Sequence, residues 1–222
     1  MPKVTEQYLV DRRRHILEAA RRCFLRNGGF QATSMQDIFT ESGLSSGAVY
    51  RYFPSKDEMI LAIAEDNIRE VIGMIRTVAD EHSGGAVGAA LAAATDLVDT
   101  KTEHEGLTEL SVQVWAEALR NPHLGPQYRR MLMQTRAEVT DIVRDHQDAG
   151  HLPPNVPATA LADVLISILP GYILQLALLG PNTIPGIADA LRALWPHPGS
   201  DEAQTVPGGL AMRLPASDSG MT

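Results

Sequence analysis

The chain has 222 residues, 44% of them apolar, which is enough for an ordinary buried core and excludes a disordered or low-complexity protein. Its single cysteine, Cys23, cannot form an internal disulfide, and the charged opening MPKVTEQYLVDRRRH lacks the apolar core of a secretory signal, so a reducing, cytoplasmic setting is expected. The net charge of −8 is unevenly spread: residues 1–60 hold nine Lys or Arg against seven Asp or Glu, whereas residues 61–222 hold ten against twenty, so only the N-terminal end is suited to meet a polyanion.

Residues 1–8 carry no periodic pattern and read as an arm. From Leu9 to about Asn27, Ile16, Leu17, Ala20, Cys23 and Phe24 recur at helical spacing with arginines on the other faces, and Asn27, Gly28 and Gly29 stop this first helix. Phe30 is placed to drop into the core behind it. Ser34 then caps a short helix beginning at Met35, with Asp37 three residues on completing a capping box, and Gly43 ends it. Ser45 caps a further helix running to about Phe53, where Pro54 disfavours helical backbone at the preceding residue. On a 3.6-residue wheel Val49 and Phe53 point one way, and Gly47, Ala48, Tyr50 and Arg51 the other. Two short helices joined by a glycine-bearing turn make a helix-turn-helix, whose second helix can enter a DNA major groove. Residues 44–56 contain no acid, as proximity to phosphate requires.

The stretch from about Arg12 to Ala62, roughly a quarter of the chain, resembles the N-terminal DNA-binding domain of the TetR family of bacterial transcription regulators. The match is carried by Ile16, Ala19, Phe24, Gly28, Phe30, Thr33, Ile38, Gly43, Ser45, Gly47, Tyr50, Tyr52, Phe53, Lys56 and Leu61. The resemblance implies that Ser46, Gly47, Tyr50 and Arg51 approach bases, that Thr33, Ser45, Tyr52 and Lys56 hold phosphates, and that Ser34 belongs to the same surface. Arg51 is the best candidate for base reading, because its planar fork can donate to guanine O6 and N7 together, with a phosphate clamp as the competing reading. The short Ser46 shifts readout toward DNA shape.

Beyond Pro54 the pattern is helical throughout. Ser55 caps a long helix to about Ala79, suited to connect two domains. Ser83, Gly84 and Gly85 break it. Ala86 to about Thr100 form an alanine-rich helix, and Glu103–Leu119 another, with Leu107, Leu110, Val114 and Leu119 inward. Pro126–Ala149 is amphipathic, Ala158–Leu179 is hydrophobic nearly all round with a kink expected at Pro170, and Ile184–Trp195 closes the series; Pro196–Thr222 reads as a poorly ordered tail. The expected fold is therefore all-α: a three-helix DNA-binding domain over residues 1–54, and a larger helical ligand-binding and dimerisation domain over 55–195.

The most apolar run, Val164–Gly180, falls short of the roughly 18–20 residues of a membrane span and contains Pro170 and Gln175, so no membrane partner is expected. Instead residues 158–195 supply a homodimer interface, since one small bundle cannot cover so apolar a helix. His82, His104, His146 and His151 are scattered, and no HExxH, CxxC, phosphate loop or nucleophile elbow occurs, so no metal, cofactor or enzyme activity is expected. An effector cavity, implied by the resemblance, is placed between helices of residues 86–180, with Trp115, Tyr128, Met131, Met133, Tyr172 and Gln175 as candidate walls. The functional expectation is a dimeric, ligand-responsive repressor on an inverted-repeat, double-stranded DNA operator, released by a small hydrophobic effector. The alternative is a helical ligand-binding or interaction protein whose helix-turn-helix no longer acts on DNA.

Overall fold

The computed structural model describes residues 5–81 and 87–195. Within them lie nine helices and no strand: α1 (Glu6–Arg26), α2 (Met35–Ser42), α3 (Ser46–Tyr50), α4 (Lys56–Glu81), α5 (Val87–Glu105), α6 (Leu107–Arg120), α7 (Leu124–Asp148), α8 (Ala158–Leu179) and α9 (Ile187–Leu194). The break expected at Ser83–Gly85, His82 and the tail 196–222 lie outside the described residues.

The expected arm is shorter than the pattern suggested. Thr5 caps α1 by accepting from the Tyr8 amide at 3.4 Å, so Glu6, Gln7 and Tyr8 are already helical. A cap one residue ahead of an acidic first turn outweighs the lack of apolar periodicity there. The apolar stripe of α1, Ile16, Ala19, Ala20, Cys23 and Phe24, is completely buried. Phe30 meets Phe24 edge to face, ring centres 4.6 Å apart, a geometry that adds about 0.5–1.5 kcal/mol to area burial. Ile38 of α2 and Val49 of α3 reach the same core, so α1–α3 close around one set of side chains, joined by Met59, Ile60 and Ile63 of α4.

One boundary was not legible. The expected helix from Glu103 is split at Gly106, whose φ of +63° is a left-handed conformation that side chains disfavour. A Cβ there would also lie 2.6 Å from Leu25 Cδ2 of α1, a side-chain tip that could shift, so the backbone is what requires glycine. The split lets α6 leave the line of α5 and pass beside α1. Leu119, expected inward, is 88% exposed at the last turn of α6.

α4, α5, α6, α7 and α8 form the larger bundle, with α7 along α8 and α9 lying on α5. Pro170 sits inside an uninterrupted α8. By length and composition alone α8 could cross a bilayer, which corrects the shorter run counted from Val164. In the fold it packs on α5, α6 and α7, while Val164, Leu174, Leu178 and Leu179 remain exposed.

Candidate functional site

The outward surface of α3 is fixed by how its neighbours are capped. In α2, the Ser34 hydroxyl accepts from the Asp37 amide at 3.2 Å while the Asp37 carboxylate accepts from the Ser34 amide at 2.8 Å. That exchange holds the Asp37 carboxyl below its usual range, with the Ser34 backbone donor the larger cause and its hydroxyl the second. Gly43, at φ +66°, donates its amide to Thr40 at 3.3 Å and ends α2. Ser45 then accepts from the Ala48 amide at 3.4 Å and starts α3. Val49 is completely buried and Phe53 nearly so, which pins the helix by its inner side; full burial of such a residue contributes about 1.5–3 kcal/mol.

The opposite side is open. Ser46, Gly47, Tyr50 and Arg51 are exposed, and nothing lies within 4 Å of a Cβ built on Gly47. Tyr50 leans on Phe39 of α2 at a ring separation of 5.4 Å, which orients its phenol without covering it. The acid of α2 closest in sequence to this surface, Glu41, is held by Arg22 and Arg26 of α1, both at 2.7 Å. Those two arginines, Arg26 first, keep its carboxyl below the usual range. The surface is polar, aromatic and basic.

One expected phosphate contact is corrected. Thr33 is 1% exposed, and its hydroxyl donates to the Gly29 carbonyl at 2.9 Å and toward Cys23 at 3.3 Å. Its side chain stabilises the turn between α1 and α2 and does not reach a surface. The Lys56 ammonium donates to the Phe30 carbonyl and, at 2.8 Å, to that of Thr33, so it ties the start of α4 to the same turn. Tyr52 is half-buried against the core, whereas Ser34 and Ser45 are exposed although their hydroxyls serve as caps.

The second feature is a cavity of about 220 Å³ between α4, α5, α6, α7 and α8. Of the candidate walls, Trp115 and Tyr128 line it; burial raises the Tyr128 phenol, with Trp115 as a smaller opposing influence. The other four do not. Met131 packs against the N-terminal core, Met133 is 61% exposed, and Gln175 is exposed on α8. Tyr172 is buried and donates to Asp99 at 2.6 Å, beside a separate depression at residues 182–188; burial first, and Asp99 second, raise its phenol. The confinement to residues 86–180 is also corrected, because Ile63, Asn67, Ile68, Val71, Ile72 and Ile75 of α4 form a wall. Selecting aromatic and sulfur-bearing residues misses a cavity made chiefly of Ile, Leu and Val. The usable signal was the second apolar edge of α4, which exceeds what one neighbouring helix can cover.

Polar contacts join this bundle to the first three helices. Arg21 of α1 pairs with Glu105 of α5 at 3.0 Å and Gln31 donates to Glu117 of α6 at 2.9 Å, while within the bundle Asn121 donates to Asp57 of α4 at 3.1 Å. α6 therefore carries Leu110, Val114 and Trp115 toward the cavity and Glu117 toward the α1–α2 turn.

Comparison with known proteins agrees with this division. Residues 16–63 match the model of bacterial regulatory proteins of the tetR family, and residues 87–195 match the C-terminal model of BetI-type transcriptional repressors. The HTH-type transcriptional repressor Rv1474c of Mycobacterium tuberculosis is 32% identical over 178 residues, covering 80% of this chain and 88% of that protein. Among solved structures, Salmonella enterica GusR superposes with a TM-score of 0.68 at 27% identity, covering 87% of this chain and 96% of that one. A transcriptional regulator from Saccharomonospora viridis, solved in complex with choline, superposes with a TM-score of 0.56 at 26% identity, covering 84% and 94%. With its helix-turn-helix and its helical C-terminal bundle, the chain belongs to the TetR family of bacterial transcription regulators.

Proposed function

We propose that the protein is a homodimeric repressor that binds an inverted-repeat operator through α3 and is released when a small hydrophobic molecule occupies the cavity. The observation that carries this reading is the acid-free face of α3, with Ser46, Gly47, Tyr50 and Arg51 outward and Val49 locked inward. Residues 1–54 act as the DNA-binding unit and residues 55–195 as the effector and dimer unit. Ser34, Ser45 and Tyr52 sit beside phosphates, and Arg51 reads a base edge, an interaction worth about 1–3 kcal/mol of discrimination.

The twin packs on the exposed apolar side of α8 and α9, where Val164, Leu178, Leu179 and Leu194 are each more than half exposed. Two recognition helices then face half-sites about 34–36 Å apart on one duplex in the cytoplasm. Occupation of the cavity displaces α4 and α6, which carry its walls and lead into the first three helices. A near-complete switch requires the ligand to prefer the released state by about 5.5 kcal/mol.

A gel shift of the full chain against genomic fragments at low salt tests the reading, with light scattering for the dimer. Retarded fragments bearing an inverted repeat are expected. Leu178→Glu is expected to give monomers and to weaken operator binding by about a hundredfold, as loss of a linked second site does. Absence of any retarded fragment, or unchanged binding by the monomeric variant, overturns it.

A further inference from the structure

Among the described residues, the lining of the cavity contains no Asp or Glu, and Lys101 is its one Lys or Arg. A cavity of nearly continuous aliphatic wall with one buried cation selects by charge as well as by shape. We propose that it takes a single-chain amphiphile with an anionic head, the Lys101 ammonium meeting the head and the walls of α4, α5, α7 and α8 enclosing the chain. This rests on the reading of the cavity as the effector site.

Lys101 is placed to receive such a head. Its side chain is 8% exposed, and its ammonium holds Glu70 at 2.7 Å and Glu105 at 3.2 Å. An ammonium has three donors, so one remains for an incoming carboxylate. If the ligand displaces Glu70 instead, that side chain is half exposed and returns to water, while Glu105 keeps Arg21 at 3.0 Å. Displacement of Glu70 leaves no buried charge alone, which is the condition for an ionic swap in a low-dielectric site, whereas simple addition would crowd a third carboxylate onto one ammonium. Asn67 and Ser111 line the cavity on the helices adjoining Lys101, and Asn67 shares Arg21 with Glu105, so the polar groups gather at the end facing α1.

The rest of the lining dictates the tail. Lining positions on α5 run from Val87 to Lys101 and on α4 from Ile63 to Ile75, spans of about 21 and 18 Å at 1.5 Å per residue. An extended chain of about twelve carbons advances about 1.25 Å per bond in zigzag and is about 14 Å long, so it fits within that length with room for its head. A sugar or a polyol would strand its hydroxyls against Ile, Leu and Val. A cationic head would meet the Lys101 ammonium, whose carboxylate partners Glu70 and Glu105 are already engaged, and His146 at the far end lies where burial disfavours its charge.

The test is calorimetric titration of the full chain with dodecanoate, 1-dodecanol and dodecylamine below their micellar concentrations. Dodecanoate is expected to bind about tenfold or more tightly than dodecanol, and dodecylamine most weakly. Lys101→Met is expected to bring dodecanoate down to dodecanol, and Lys101→Arg to preserve the preference. Equal affinities in the unaltered protein, a preference for the amine, failure of all three to bind, or a preference that survives Lys101→Met would each overturn the proposal. If Lys101→Met does not fold, the unaltered protein and Lys101→Arg still decide. A parallel gel shift separates the two readings: operator binding without selective dodecanoate binding rejects only the ligand class, and selective dodecanoate binding without operator binding rejects only the repressor.

Discussion

Around Phe24, Ile38 and Val49 the side chains are wholly buried and close on one another, whereas between α4, α5, α7 and α8 equally apolar side chains face about 220 Å³ of space. The difference lies in helix length and crossing. α2 and α3 have eight and five residues, so each needs only one or two inward side chains and sits close to α1. The long helices of the other half contact one another along their lengths but cannot fill the volume where several of them diverge. On the proposed function, the closed core supports the surface that reads DNA and the open one leaves room for a ligand between α4 and its neighbours.

Substitutions that respect the division should separate its two functions. Replacing Tyr50 and Arg51 together by alanine should reduce operator affinity by about a hundredfold while thermal stability stays within a degree or two, since both are exposed; a large drop in melting temperature would show that the face is structural. In urea unfolding, Phe24→Ala should cost about 3–5 kcal/mol, because the closed core cannot relax around the gap. Ile166→Ala, on the cavity wall, should cost only about 1–2 kcal/mol, since the side chain already borders empty space. Equal costs would mean that the two interiors are packed alike.

Smaller effects sharpen the same contrast. Lys56→Met strips two carbonyls of the turn before α2 of their donor, and should cost about 1–3 kcal/mol in stability. If Lys56 acted only on phosphate, that variant would lose DNA affinity with no change in stability. The smallest effect concerns His146, whose imidazole is held below its ordinary 6.5, by burial first and by His151 second, against Asp145. The unfolded chain then takes up the proton before the folded one does, so stability falls as pH drops below about 6.5 toward the folded value. Denaturant midpoints measured between pH 7 and pH 5 should decline less in His146→Gln than in the unaltered protein.

Much of the first half was legible because its signals are local. Ser34 with Asp37, Gly43, and Ser45 ahead of an acid-free helix each act within four residues, and the structure repeats them as a capping box, a left-handed terminus and a second cap. α8 was read with its observed ends for a similar reason, lying between Pro157 and Gly180. The cavity was partly legible: Trp115 and Tyr128 line it, but Met131, Met133, Tyr172 and Gln175 were chosen by residue type, and type does not say which side of a helix faces a gap.

The sequence by itself determined most of the helices, the caps of α2 and α3 and the division of charge, because hydrogen-bonding caps and 3.6-residue periodicity operate between neighbours along the chain. It also determined that α3 carries no acid. Only the tertiary structure decided that Thr33 and Lys56 close a turn, that Gly106 meets Leu25, and that Lys101 stands buried at a cavity walled chiefly by hydrocarbon. These depend on residues far apart in the chain meeting in space, 10 positions for Thr33 with Cys23, 26 for Lys56 with Phe30 and 81 for Gly106 with Leu25, through contacts whose energies no local pattern records.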